Sequence, residues 1–174
     1  MKIDTLKTLL HEGLKEIYDA EKRLVRAIAK MGKAASSRKL CEALTDHVEV
    51  TRSQVDRLEQ IFALLDVPAK AKPCARMLGI IEEGDAVLQT SRDNVLQDLA
   101  IIGVVQRVER QEMAAYASVH AMAEQLGNPD IAELLNQTWE EEREADETLA
   151  ALAEQLQTVP DIKAKGKAAH SGMD

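Results

Sequence analysis

The feature that most constrains this chain is a set of four long apolar stripes, each stepping at three- and four-residue intervals. The first runs through Leu10, Leu14, Ile17, Leu24, Ile28 and Met31, and the second through Leu40, Leu44, Thr51, Val55, Leu58, Phe62 and Leu65. The third takes Ile101, Val105, Val108, Tyr116, Val119 and Ala123, and the fourth Ile131, Leu135, Thr138, Ala145, Leu149, Leu152 and Leu156. Such steps put every member on one side of an α-helix, so each segment must bury a continuous seam against its neighbours. The composition agrees: 45% of residues are hydrophobic and 30% charged but only 2% aromatic, a balance skewed to good helix formers.

Punctuation orders the stripes. A first helix is expected from a cap at Asp4 to near Gly32, and the turn SSRKL restarts the pattern in a second helix that stops before Val67-Pro68. Residues 67–91 hold two prolines, Gly79, Gly84 and the short apolar piece CARMLGIIEEG. They read as a crossover of one or two short helices, laid on the bundle through Met77, Leu78, Ile80 and Ile81. The long pattern resumes near Arg92 to Asn94, breaks at LGNPD, and restarts with Asn128 as cap and Pro129 at the first helical position. Two hairpins joined by a long connection predict an all-α four-helix bundle with one crossover. Residues 1–158 make the bundle, and the small, lysine-bearing residues 159–174 read as a disordered tail.

A chain of 174 residues is one domain of ordinary size. Its net charge of −8 disfavours nucleic acid and anionic membranes and favours cations as partners. No apolar run approaches the roughly 20 residues of a membrane span, and the start MKIDTLKTLLHEG lacks the apolar centre of a signal peptide, so a cytoplasmic location is expected. Cys41 and Cys74 are too few and too far apart for a disulfide framework or a zinc cluster, and read as free thiols.

Each stripe carries ionisable residues at inward positions: Glu21, His47, Glu109 with Glu112, and Glu142. In an antiparallel hairpin, residues equidistant from the turn lie level. That reflection puts Glu21 opposite His47, Glu112 opposite Glu142, and Glu109 opposite Asp146. A buried carboxylate without a partner costs several kcal/mol or keeps its proton, and clustered acids repel one another as well. A positive species belongs among them. Glu109 with Glu112, and Glu142 with Asp146, are spaced to share a helix face, so with Glu21 and His47 they can surround a pair of metal ions. Hard carboxylates with one imidazole suit iron or manganese better than zinc. Tyr116, one turn beyond Glu112, is placed to donate a hydrogen bond to a ligand. Glu82, Glu83, Glu124, Glu140 and Glu141 read as solvated, His11 and His170 as surface residues, and His120 lies two turns from the centre.

The segments IYDAEKRLV, HVEVTRSQVDRLEQIF, CARMLGIIEEG, RVERQEMAAYASV and EEREADETLAALA, in this order over roughly residues 5–156, resemble the YciF/YciE-type family of ferritin-like bacterial proteins. The resemblance implies a ferritin-like bundle with a dinuclear metal centre, usually taken as iron, in dimeric cytoplasmic proteins linked to stress responses. It places Glu21, His47, Glu109, Glu112, Glu142 and Asp146 at the metal-ligating positions. Two positions depart. The family pattern has an acid one turn after the histidine, where this chain has Val50, and a histidine after the first third-helix acid, where it has Arg110. Small residues beside Arg110 would let its guanidinium swing toward the carboxylates. The expected function is therefore a stress-associated protein holding iron or manganese in a degenerate site, redox-active toward oxygen or peroxide. The alternative is a non-enzymatic helical scaffold in which Arg110 and protonated acids replace the metal.

Overall fold

A computed structural model describes residues 5–90 and 93–157. In the described residues the elements are α1 (Leu6–Ala34), α2 (Arg38–Leu64), α3 (Ala75–Gln89), α4 (Asn94–Gln125) and α5 (Pro129–Gln157). The hairpin α1/α2 packs on the hairpin α4/α5 to form the ferritin-like bundle, α1 against α4 and α2 against α5, with α3 on the outside of α1 and α4. None of these helices is long and apolar enough to cross a membrane.

The ends of the elements follow from local chemistry. Thr5 caps α1, its hydroxyl accepting from the Thr8 N–H at 3.1 Å; Asp4, the expected cap, lies outside the described residues. Gly32 does not end α1, which continues to Ala34. It is a packing glycine, because a Cβ there would lie 3.3 Å from Leu44 Cβ across the hairpin. The α4/α5 turn is closed by Gly127 at φ 71, with the Asn128 N–H donating to the Ala123 carbonyl at 3.0 Å, a left-handed helix end that favours glycine. The expected tail, 159–174, lies outside the described residues.

A contact across the bundle fixes the first turn. Asp98 on α4 is 2% exposed, and its two oxygens accept from the Ser36 and Ser37 N–H groups, both at 2.7 Å. Replacing it strands two backbone donors, so Asp98→Ala should lower stability by about 1 to 3 kcal/mol, read from the midpoint of urea unfolding.

The crossover forms one helix that covers the bundle through Met77, Ile80 and Ile81, whereas Leu78, also expected on the packed side, is half-buried and joins neither apolar cluster. Met77 is buried, and Ile80 and Ile81 pack on the cluster of Leu24, Ile28, Met31, Leu44, Ile101 and Val105. Gly84 lets α3 settle, since a Cβ would meet Val104 Cγ1 at 3.3 Å and Met31 Sδ at 3.4 Å. A second apolar cluster, with Leu10, Leu14, Leu58, Phe62, Tyr116 and Leu135, fills the other end of the bundle. Between the two lies a layer of charge.

Candidate metal centre

Long uninterrupted helices bring the charged layer together. Glu21 is on α1 between Ile17 and Leu24, His47 on α2, Glu109 and Glu112 on adjacent turns of α4, and Glu142 on α5. The four carboxylates are 0 to 3% exposed and His47 9%. Ligand atoms form two groups, His47–Glu109–Glu142 and Glu21–Glu112–Glu142, within each of which they lie no more than 4.8 Å apart. Glu142 belongs to both.

Few of these atoms are satisfied by the protein. Tyr116 OH donates to Glu21 Oε1 at 2.5 Å, as its place one turn beyond Glu112 predicts, and Gln54 Nε2 donates to Glu142 Oε1 at 2.5 Å. Buried without a hydrogen-bond partner are Glu21 Oε2, His47 Nε2, both oxygens of Glu109, Glu112 Oε1 and Glu142 Oε2. His47 Nε2 lies 3.3 Å from Glu109 Oε1 and 3.8 Å from Glu142 Oε2.

Burial acts on all four acids in the same direction. It pushes the Glu21 carboxyl up to about 8, helped by the charge of Glu142 and opposed by the Tyr116 hydrogen bond. Burial likewise takes Glu109 up to about 7. Glu112 and Glu142 stand well above the ordinary carboxylate range, first through burial and then through their acidic neighbours. Burial and the facing carboxylates also hold the Tyr116 hydroxyl in its neutral, donating form. Without a compensating cation the cluster therefore keeps protons near neutral pH.

Five of the six expected ligands share this cluster; Asp146 stands apart from both groups. Its Oδ1 accepts from Gln106 Nε2 at 3.0 Å and lies 3.3 Å from Arg110 Nε. The reflection about the α4/α5 turn sets its height, but Asp146, 19% exposed, pairs with Gln106 and Arg110 instead of joining the buried acids. Arg110 stays with it, with 61% of its side chain exposed, and does not swing in to the buried acids.

Arg57, whose charge acts on Glu21, is a cation that periodicity left unmarked. Its side chain is 10% exposed, donates to Thr138 Oγ1 at 2.6 Å and grips Glu141 with two hydrogen bonds of 2.8 Å. Glu141 is thus not a solvated acid: it faces α2, where Gln54 also reaches it at 3.1 Å. Gln54 is completely buried, whereas Val55, placed on the second stripe, is half-buried. A polar residue in step with Thr51 and Leu58 is the same signal that marks Glu21, and it identifies Gln54. His120 is 28% exposed beside Glu124, away from the cluster, and Cys41 and Cys74 are free thiols.

Two grooves approach the cluster from opposite sides. One, of about 420 Å³ between α1, α4 and the start of α3, has Glu112 in its lining. The other, of about 440 Å³ between α2 and α5, has His47, Val50 and Ala145 in its lining.

The fold is shared by known proteins. The chain is 37% identical to Protein YciF of Escherichia coli (strain K12) over 154 residues, 88% of this chain and 93% of that protein. The crystal structure of the E. coli stress protein YciF superposes with a TM-score of 0.86 at 36% identity, covering 88% of this chain and 98% of that one. YcfI of Rhodopseudomonas palustris superposes at 0.81 with 35% identity, covering 91% and 96%. A Xanthomonas campestris protein at 21% identity and a TM-score of 0.68 shares the fold, over 87% of this chain and 93% of its own. Residues 5–159 match the family described as a domain of unknown function (DUF892), and with these relatives the match makes the chain a member of the YciF-type family of ferritin-like helical bundles.

Proposed function

We propose that this protein binds iron or manganese in the layer formed by Glu21, His47, Glu109, Glu112 and Glu142, as part of a stress-associated role. The observation that carries the reading is the set of six buried, unpartnered carboxylate and imidazole atoms. Each would cost roughly 1 to 3 kcal/mol if left unsatisfied, and their hard-oxygen character with one nitrogen suits these ions. The two groups sharing Glu142 offer places for two ions, His47 and Glu109 holding one and Glu21 and Glu112 the other. Bound iron or manganese supplies one-electron chemistry toward dioxygen or peroxide. The protein's own part is to orient the ligands and exclude water. Tyr116 fixes one oxygen of Glu21, Gln54 fixes one oxygen of Glu142, and Arg57 holds Glu141 against Gln54. The apolar clusters above and below keep the layer dry.

Metal analysis of protein purified without chelator and then loaded with iron(II) or manganese(II) tests the reading. The parent should hold up to two ions per chain, and Glu142→Ala, which removes a ligand from both groups, should lose most of them. A second reading is favoured by the hydrogen bonds from Tyr116 and Gln54 and by the raised pKa values of the acids, which allow a protonated, metal-free layer. In that case the protein is a helical stress or scaffold protein, no ion is retained after loading, and Arg57 rather than Arg110 is the arginine whose charge acts on Glu21. A homodimer, which the family resemblance implies, belongs to either reading and is tested by light scattering.

A further inference from the structure

The two grooves beside the charged layer differ in charge. Asp46 on α2 and Glu144 on α5 line the α2/α5 groove, both exposed, and neither forms an ion pair among the described residues. Glu141, the third acid of that lining, is held by Arg57. No lysine or arginine lines this groove, so two uncompensated negative charges stand on its exposed rim. In the α1/α4 groove Lys72 and Arg76 stand among the acids, with Lys72 Nζ 3.1 Å from Glu12 and 2.8 Å from Glu16. A cleft lined by one sign of charge concentrates the opposite ion, and of these two grooves only the α2/α5 one is so lined.

That groove also meets the charged layer where the layer is most open. Of the five buried ligand residues His47 alone lines it, and its 9% exposure is the highest, against 3% or less for the four carboxylates. Its Nε2 has no hydrogen-bond partner and lies 3.3 Å from Glu109 Oε1, so the ring reaches from the groove's lining to the acids behind it. Half-buried Val50 and Ala145, one turn along their helices from His47 and Glu142, are small enough to leave space beside it. The groove's volume of about 440 Å³ exceeds the roughly 180 Å³ of a divalent ion's shell of about six waters, at about 30 Å³ each.

We infer that divalent cations reach the charged layer through the α2/α5 groove: Asp46 and Glu144 draw a hydrated ion to its mouth, and the ion passes Val50 and Ala145 to His47, the first ligand it meets. The inference rests on the metal reading and adds the route that serves it. The α1/α4 groove, with its mixed charges and a Glu112 only 3% exposed, is not the entrance. A route is used in both directions. Narrowing it therefore slows loading and release by the same factor and leaves the affinity as it was, whereas loss of a ligand changes the affinity.

The test follows free manganese(II) with an indicator dye after rapid mixing with full-length, chelator-stripped protein, and follows release by mixing loaded protein with excess chelator. Ala145→Leu, which narrows the groove without removing a ligand, should slow uptake and release together by about tenfold. Asp46→Asn combined with Glu144→Gln, both at exposed positions, should slow uptake about three- to tenfold at low salt. That difference should vanish in roughly 0.5 M sodium chloride, where screening confines the field to a few ångströms. Ser118→Leu, in the α1/α4 groove, should leave both rates unchanged, and every variant should bind as many ions as the parent. Uptake at the parental rate in either groove variant, or slowing by Ser118→Leu, would overturn the route. Should Ala145→Leu fail to fold, the doubly neutralised variant decides by itself. A parent that takes up no manganese(II) overturns the metal reading and the route with it, and full uptake at rates indifferent to these substitutions overturns the route alone.

Discussion

Metal-free protein should lose stability as the pH rises from 6.5 to 8. A buried acid whose folded pKa lies above its unfolded value stabilises the fold fully below the unfolded value, and that contribution is lost as pH climbs to the folded one. Glu21 rises from 4.5 to about 8 and Glu109 to about 7, and Glu112 and Glu142 move the same way. Unfolding therefore releases protons across this window. The expected slope is roughly 1 to 3 kcal/mol per pH unit, the equivalent of one or two protons. Other shifted groups act elsewhere. His11, lowered chiefly by burial, gives the opposite slope below 6.5, and Glu12, lowered by Lys15 and Lys72, acts only below 4.5. Urea unfolding in chelator at half-unit pH steps measures the slope, and a flat or rising profile would mean that the acids are not buried as a set. With saturating manganese(II) the profile should turn upward, because ligand carboxylates must lose their protons to bind.

The second large effect is expected at Val50. It is half-buried and lines the same groove as His47, so an acid there would stand beside the imidazole. Val50→Glu should bind iron(II) or manganese(II) about tenfold more tightly than the parent, since it supplies the oxygen that α2 lacks. At equal metal concentration that gain raises the melting temperature by about 3 to 6 °C beyond the rise seen for the parent. In chelator the sign reverses, and the variant should be less stable by about 1 to 3 kcal/mol, because it buries a carboxyl with no cation to meet it. Calorimetric unfolding of both proteins with and without metal separates the two terms. A variant that loses stability in both conditions and gains no metal shows that α2 departs from a working site by more than one ligand.

Most of the bundle was readable because helical period and turn chemistry act over a few residues. Each stripe marks a seam, and Glu21, His47, Glu109, Glu112 and Glu142 stand out as charges on seams. Within each hairpin their shared level follows from the symmetry about the turn. What local pattern does not carry is the direction of a side chain at a stripe's edge. Asp146 has the right height but lies on the flank with Arg110, whereas Glu141, beside Glu142 in sequence, turns to Arg57 on α2. Gln54 escaped notice because Val55 fits an apolar stripe equally well, and only the packing of α2 on α5 chooses between them.

The sequence by itself determined the helices, their pairing and the identity of the charged layer, since burial of an apolar seam leaves a 3.6-residue helix few ways to lie. Tertiary structure alone decided which hydrogen bonds each acid keeps and which of its atoms are left over. It also decided that Arg57 and not Arg110 brings its charge to bear on Glu21, and that a groove beside α1 and α4 has Glu112 in its lining. Those outcomes depend on distances of a few ångströms between residues far apart in the chain, such as Tyr116 and Glu21 or Gln54 and Glu142. Such distances are set by how the two hairpins settle on each other, which no local pattern encodes.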